Sequence, residues 1–312
     1  MLDQRKDEDA VVRSGDPLES AEVEPEASGQ VEGRTQREII WRRFKRHKLA
    51  MVCGVLLLLL YVLALATPFI APYGFAEQDF TSMNQGPSLS HPMGTDQLGR
   101  DELTRVMYGG RISMLVGLGV GTLITVIGTS LGIISGYYGR FVDSGVMGTA
   151  DFVLVLPFIP VLLVLGSIFQ FNAVTITLVI ALLLWPRMAR LVRGQVLALR
   201  DQEYVQAAKA VGVSDFRIML RHIFPNTFGI VVVEATLIVA LAIIIESIIS
   251  FLGLGIQPPT PSWGNLLTDA RSQMTTQWWL TIFPGLMIVI TALCVNFVGD
   301  GLRDALDPKV VE

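Results

Sequence analysis

Two carboxylates stand where the sequence is otherwise apolar: Glu246, in AIIIESIISFLGLG, and Asp151, in GTADFVLVLP. An ionisable group inside hydrocarbon is costly, so each is a candidate for a pathway or gate, or for a hydrogen-bonded brace between helices. The sequence leaves both roles open. Neither carboxylate has a visible relay partner, because the chain has three histidines, His47, His91 and His222, and none lies mid-way along an apolar run. There is no G-x-x-x-x-G-K-[ST] loop to cradle phosphates, no H-E-x-x-H helix and no Cys/His cluster with metal spacing. No catalytic residue and no metal site are therefore expected, and any nucleotide that drives this protein binds another chain. Cys53 and Cys294 both fall in apolar runs and read as packed thiols.

A second stretch is informative because it is polar. QAAKAVGVSDFRIMLRHIFPN (206–226) separates two long apolar runs. Two short amphipathic helices fit it. In the first, Asp201 is the expected N-cap and Glu203 suits the positive helix start. Tyr204, Ala207, Ala208 and Val211 then share one face, and Gly212 can end the helix in the left-handed conformation. In the second, Ser214 is the expected cap, Phe216, Met219, Leu220 and Ile223 repeat the apolar spacing, Arg217 and Arg221 share the other side, and Pro225 stops or bends the helix. An apolar face on a loop has to be covered, either by the membrane surface or by a partner.

The elements holding these residues are membrane spans. At 51% hydrophobic and 17% charged, with a mean hydropathy of +0.53, the chain belongs with polytopic helical membrane proteins. Apolar runs near 49–70, 112–135, 145–169, 173–190, 229–253 and 278–299 approach or exceed the roughly 20 residues a bilayer crossing needs. The fold class is thus all-α with six spans. Residues 1–38 carry eleven acids and five bases with almost no aromatic residue, and read as a disordered acidic tail. The transmembrane domain is then 39–312, with a cytoplasmic loop at about 191–228.

Orientation follows from the bases. WRRFKRHK (41–48) precedes the first run, which places the N-terminus inside. Six crossings put 71–111, 170–172 and 254–277 outside, and the loops near 136–144 and 191–228, with the C-terminus, inside. Outside the tail, fifteen Lys and Arg then lie on the inner segments and four on the outer ones. The first run, with Ala64-Leu65-Ala66, also looks like a cleavable leader, but it continues to Ile70 after an unusually long preceding region, which favours an uncleaved span. In the second run, Gly117 and Gly121, then Gly128, Gly132 and Gly136, repeat at four-residue spacing, a face for close helix packing or for sliding.

The pair Ala207-Ala208, then Gly212 after three residues and Pro225 thirteen further on, resembles the E-A-A-x-x-x-G loop of ABC importer permeases. HPMGTDQLGRDELTRVMYGGRISMLVG (91–117), SFLGLGIQPPTPSWGNLL (250–267) and GDGLRDALDP (299–308) are similar to the dipeptide/oligopeptide/nickel group, specifically its C-type subunit. The resemblance covers about residues 38–310. It implies a type I importer permease fold in a bacterial inner membrane, with Glu203 to Pro225 as the coupling segment that docks on an ATPase. Gln206 stands where the family has Glu, and His222 and Phe224 depart from its usual Ile and Leu. The resemblance also implies a second homologous permease, two ATP-binding subunits that carry ATP and Mg, and an extracytoplasmic binding protein, with membrane lipid around the complex and no nucleic acid. Short peptides are the expected cargo, and nickel or a metal chelate is the alternative within the family. A stand-alone ion-driven carrier or channel, or a non-transporting scaffold, is the alternative from another class. Pathway or gate candidates are Glu246, Asp151, Gly253, Gly255, Pro258 and Trp263, the last four shaping an outer mouth or rim where rigid turns and an interfacial aromatic gather.

Overall fold

The computed structural model describes residues 36–306; residues 1–35, where most of the acidic tail is expected, lie outside the described part. Eleven α-helices are described, and no β-strand among the described residues. A basic helix α1 (Gln36–Arg46) leads into α2 (Lys48–Ile70), whose first turn is capped by His47 Nδ1 accepting from the Ala50 N–H at 3.1 Å. An irregular segment follows, then α3 (Glu102–Tyr138), started by Asp101, whose carboxylate accepts the Thr104 N–H at 2.8 Å. Next come α4 (Arg140–Val155), α5 (Phe158–Phe169) and α6 (Ala173–Arg200), then the short α7 (Glu203–Ala210) and α8 (Asp215–Ile218). A π-turn (Met219–Ile223) joins α8 to α9 (Phe224–Phe251), and α10 (Trp263–Ala270) and α11 (Trp279–Leu306) complete the chain.

The bundle centre is α3, gripped by α6 on one side and α9 on the other. The four-residue glycine spacing explains why. A Cβ at Gly117 or Gly121 would collide with Ile243 or Val239 of α9, and one at Gly128, Gly132 or Gly136 with Met188, Val192 or Val196 of α6. These glycines are close-packing positions, where backbones meet without a hydrophobic driving force between helices. The shared core includes Val120, Ile124, Ile180, Met188, Ile238 and Ile249. By contrast, α2 turns Val52, Val55, Leu58 and Leu59 outward, as a lipid-facing helix does.

Among the described residues, five helices are long and apolar enough to span a bilayer, with α8–α9 continuous as Asp215–Phe251, and the pair α4–α5 makes a sixth if its two halves are one span. The expected third span is therefore broken: its halves meet at 82°. The cause is local. Leu156 precedes Pro157 and is pushed to extended backbone (ψ 131°), which stops α4. The two halves still join opposite ends of the bundle. At one end, Gln277 Nε2 donates to Asn84 Oδ1 (2.6 Å), Trp279 Nε1 donates to Thr95 O (3.2 Å), and Phe171 and Asn172 share a cleft with Ile256 and Thr260. At the other, Arg200 NH1 donates to Gly136 O (3.1 Å) and Tyr137 Oη donates to Asp215 Oδ1 (2.6 Å). The N- and C-terminal helices meet at this second end, where His47 Nε2 lies 3.9 Å from Asp304.

Candidate functional site

The polar segment departs from expectation in three ways. First, α6 continues to Arg200, so the connection is shorter than 191–228, and Asp201 closes α6 instead of opening α7. Gln202 takes the N-cap position of α7 without a side-chain cap. Second, the helix after Ser214 is not separate. Ser214 is its N-cap, though its hydroxyl makes no capping bond, and the helix runs on through Pro225 into the fifth span. Pro225 removes a backbone donor and would clash in a regular helix. The π-turn immediately before it opens the ladder, with the Phe224 N–H reaching Met219 O, and Asn226 Nδ2 donates to His222 O at 2.6 Å. Third, the buried side of α7 is Val205 with Ala208 partly covered, so the Tyr204, Ala207 and Val211 stripe faces outward.

What results is a tethered knuckle with an uncovered apolar tip. Gly212 has φ +82°, its N–H donates to Lys209 O (3.1 Å), and the Val213 N–H donates to Ala208 O (3.1 Å), a Schellman ending as the spacing predicts. Val211 is 80% exposed and Phe216 68% exposed, with Leu220 half exposed. Glu203, Arg217, Arg221 and Pro225 are exposed around them. Gln206 Nε2 donates to Arg200 O (2.9 Å), one of the orphan carbonyls at the end of α6. A glutamate there could not donate, so the departure from E-A-A has a local use. Lys209 Nζ lies 5.8 Å from the Tyr137 ring centroid, and Tyr204 packs near His222 with ring centroids 6.2 Å apart.

Glu246 is fully buried, and it has partners the sequence did not reveal. Ser113 Oγ of α3 donates to Glu246 Oε2 (2.9 Å) and Ser250 Oγ donates to Oε1 (2.7 Å). Each hydroxyl in turn accepts a backbone N–H: Trp263 N to Ser113 Oγ and Ile256 N to Ser250 Oγ, both at 3.2 Å. The carboxylate thus ties α3, α9 and the segment after α9 together. Trp263, expected on an exposed rim, is 1% exposed; its indole N–H donates to Val106 O (3.0 Å) and its ring lies against Gly109 and Gly110. Gly253 (φ +80°) ends α9 with the same Schellman pattern as Gly212, and a Cβ on Gly255 would run into Ser250. Pro258 is exposed. The four outer-loop candidates therefore divide into buried anchors, Gly255 and Trp263, and surface turns, Gly253 and Pro258.

Asp151 is also partnered: it forms an ion pair with Arg190 of α6. This is one rung of a ladder that sequence reasoning missed. Arg187 Nε lies 2.9 Å from Glu234 Oε1 of α9, and Arg193 grips Asp143 of α4 through both Nε and NH2. The signal was present, since Arg187, Arg190 and Arg193 recur every three residues and Glu234 interrupts VVVEATL. Ending the fourth run at 190 and counting Arg187, Arg190 and Arg193 among the cytoplasmic bases concealed it. A second missed network sits at the opposite end. Buried Asp96 binds Arg100 and Arg105, both of which reach Asp269 of α10, and His91 Nδ1 lies 2.9 Å from Asp101. The Pro- and Gly-rich outer loops are thereby locked to each other.

A bundle of membrane-length helices with an exposed apolar knuckle at one end is the architecture that comparison with known proteins places in a family. The family described as "Binding-protein-dependent transport system inner membrane component" matches residues 128–312, and that described as "N-terminal TM domain of oligopeptide transport permease C" matches residues 35–87. The dipeptide transport system permease protein of Bacillus subtilis is 42% identical over 271 residues, covering 86% of this chain and 85% of its own. The oligopeptide transport system permease protein of Haemophilus influenzae is 42% identical over 282 residues, covering 90% and 91%. A glutathione transport system permease protein of Pectobacterium atrosepticum is 38% identical over 278 residues, covering 89% and 92%. The chain belongs to the binding-protein-dependent transport system inner membrane component family, as a multi-pass permease subunit of an ABC transporter.

Proposed function

We propose that this chain is the C-type permease of an ATP-driven importer of short peptides. It pairs with a second, homologous permease, sits on two ATPase subunits that bind ATP and Mg, and receives cargo from an extracytoplasmic binding protein. Both termini and the α7 knuckle are cytoplasmic in a bacterial inner membrane, and the network around Asp96 and Asp269 faces the binding protein. The observation that carries this reading is the similarity to dipeptide and oligopeptide permeases along nearly the whole chain. The exposed Val211 and Phe216 support the coupling part, because an apolar tip on a helix end is a surface that a partner's groove would cover.

In mechanism, this subunit does no chemistry of its own. ATP binding by the partners draws their grooves together, the knuckles move with them, and α3, held to α6 and α9 by glycine contacts, transmits that motion through the bundle. The test is reconstitution of the permease pair with its ATPases and binding protein in proteoliposomes. Uptake of labelled di- and tripeptides, with peptide-stimulated ATP hydrolysis, is expected. Uptake of nickel or a nickel chelate without peptide uptake would overturn the assignment of cargo.

A further inference from the structure

The ladder on α6 lies in the part of the span nearer its Arg200 end. Arg187 and Arg190 are about 21 and 26 Å along the helix from Ala173, inside the roughly 30 Å hydrocarbon thickness measured from that end. Glu234 is a comparable distance, about 26 Å, from the Phe251 end of α9. Yet the side chains are open: Arg187 is 61% exposed, Arg190 49% and Asp151 61%. Charged side chains within a span face a water-filled cavity, a partner or, near its ends, the headgroup layer. A cavity of about 520 Å³ lies beside them, lined by Leu154, Arg187, Arg190, Leu191 and Glu234.

The three rungs differ in how firmly they are closed. Asp143 is saturated, since Arg193 binds both its oxygens and Ser135 Oγ also donates to it. Asp151 meets Arg190 through a single oxygen. Glu234 Oε1 is buried without any hydrogen bond, although Arg187 Nε is 2.9 Å away, so that contact is a charge contact off the hydrogen-bond direction. The third rung braces α4 on α6 with both carboxylate oxygens engaged, whereas the first two are each a single contact, and Arg187, Arg190 and Glu234 line the cavity.

Resting on the peptide-importer reading, we propose that this cavity is a wall of the translocation passage, where Arg187 and Arg190 receive the carboxylate of a passing peptide and Glu234 receives its ammonium. A short free peptide carries both charges. Exchanging an internal ion pair for a pair with the cargo keeps every charge neutralised during transit. The weak, half-open rungs also let the cargo leave, as a conduit requires and a high-affinity site does not.

The experiment uses the complete importer in proteoliposomes, with Cys53 and Cys294 replaced by Ala. Leu191→Cys places a thiol on the cavity wall while retaining all four charges. Membrane-impermeant thiol reagents are expected to modify it, and a short peptide supplied with binding protein under turnover is expected to slow the modification. In parallel, Arg187→Gln/Arg190→Gln is expected to lower the peptide uptake rate roughly fivefold, the scale of a partly solvated charge contact. No modification of Leu191→Cys, modification without peptide protection, or arginine variants that change only the dependence on anionic lipid would each overturn the proposal. Wild-type uptake is measured first, so a cargo that is not a peptide is recognised separately from a cavity that is not the passage.

Discussion

Ser113 and Ser250 each have one hydroxyl hydrogen, and both direct it at Glu246 while their oxygens accept the backbone N–H groups of Trp263 and Ile256. Such a chain needs an acceptor at its centre that offers two equivalent oxygens. Glutamine offers one oxygen and one N–H, so Glu246→Gln forces a serine to turn its hydrogen away or leaves a buried group unpaired, at a cost of about 1–3 kcal/mol. The expected outcome is a lower thermal unfolding midpoint of the purified complex in detergent, with reduced uptake following from lost protein. An unchanged midpoint with a lower uptake rate per complex would instead make Glu246 a pathway group. The same logic separates the rungs of the α6 ladder. Asp143→Asn removes a carboxylate with three donors, and is expected to destabilise the bundle more than Asp151→Asn, whose partner is already half exposed; equal midpoints for the two variants would contradict that ranking.

Gly212 belongs to the element scale, because what it controls is the shape of the α7 knuckle. Its φ of +82° is a conformation L residues rarely hold, and nothing lies within 4 Å of where a Cβ would be. A substitution there is therefore strained by backbone alone, by about 1–2 kcal/mol for a β-branched residue, with asparagine tolerated. Gly212→Val is expected to weaken association with the ATPase subunits in a pull-down and to lower coupled ATP hydrolysis, while Gly212→Asn retains both. Equal behaviour of the two variants would show that the turn is not what the partner reads. This turn was legible in sequence because a Schellman ending is written in adjacent residues. So were five of the six spans, whose apolar length suffices. The broken span was less so: Pro157 marks the site, but the 82° angle depends on what α4 and α5 pack against. The exposed stripe of α7 was read as one apolar face without regard to which side α6 and α9 would cover, and Val205 took the inner position. Glu246's serines were invisible for a simpler reason, since Ser113 is 133 residues away.

At the scale of the whole molecule, the bent pair α4–α5 decides the topology. If it crosses, the chain has six spans and its termini share a side; if it turns back, five spans put them on opposite sides. Side-chain contacts favour crossing. Gly139, at the start of α4, lies next to Arg200 at the knuckle end, whereas Asn172, just after α5, lies beside Thr260 at the opposite end. The N- and C-terminal helices also touch: a Cβ on Gly301 of α11 would collide with Ala50 of α2 and press on Phe44 of α1. Their shared end carries the basic helix α1, and in the orientation proposed above that end is cytoplasmic. Reporter fusions check this directly. Fluorescent protein joined after Glu312 or before Met1 is expected to mature, because the proposed orientation puts both junctions in the cytoplasm, and alkaline phosphatase inserted at Asn172 is expected to be active outside. Active phosphatase at the C-terminus with a fluorescent N-terminus would mean that α4–α5 re-enters, and it would move the ladder of Arg187, Arg190 and Arg193 to the other leaflet. The proposed passage and the α7 knuckle stand on the same side of that result, since both depend on α6 running from the outer end at Asn172 to the inner end at Arg200.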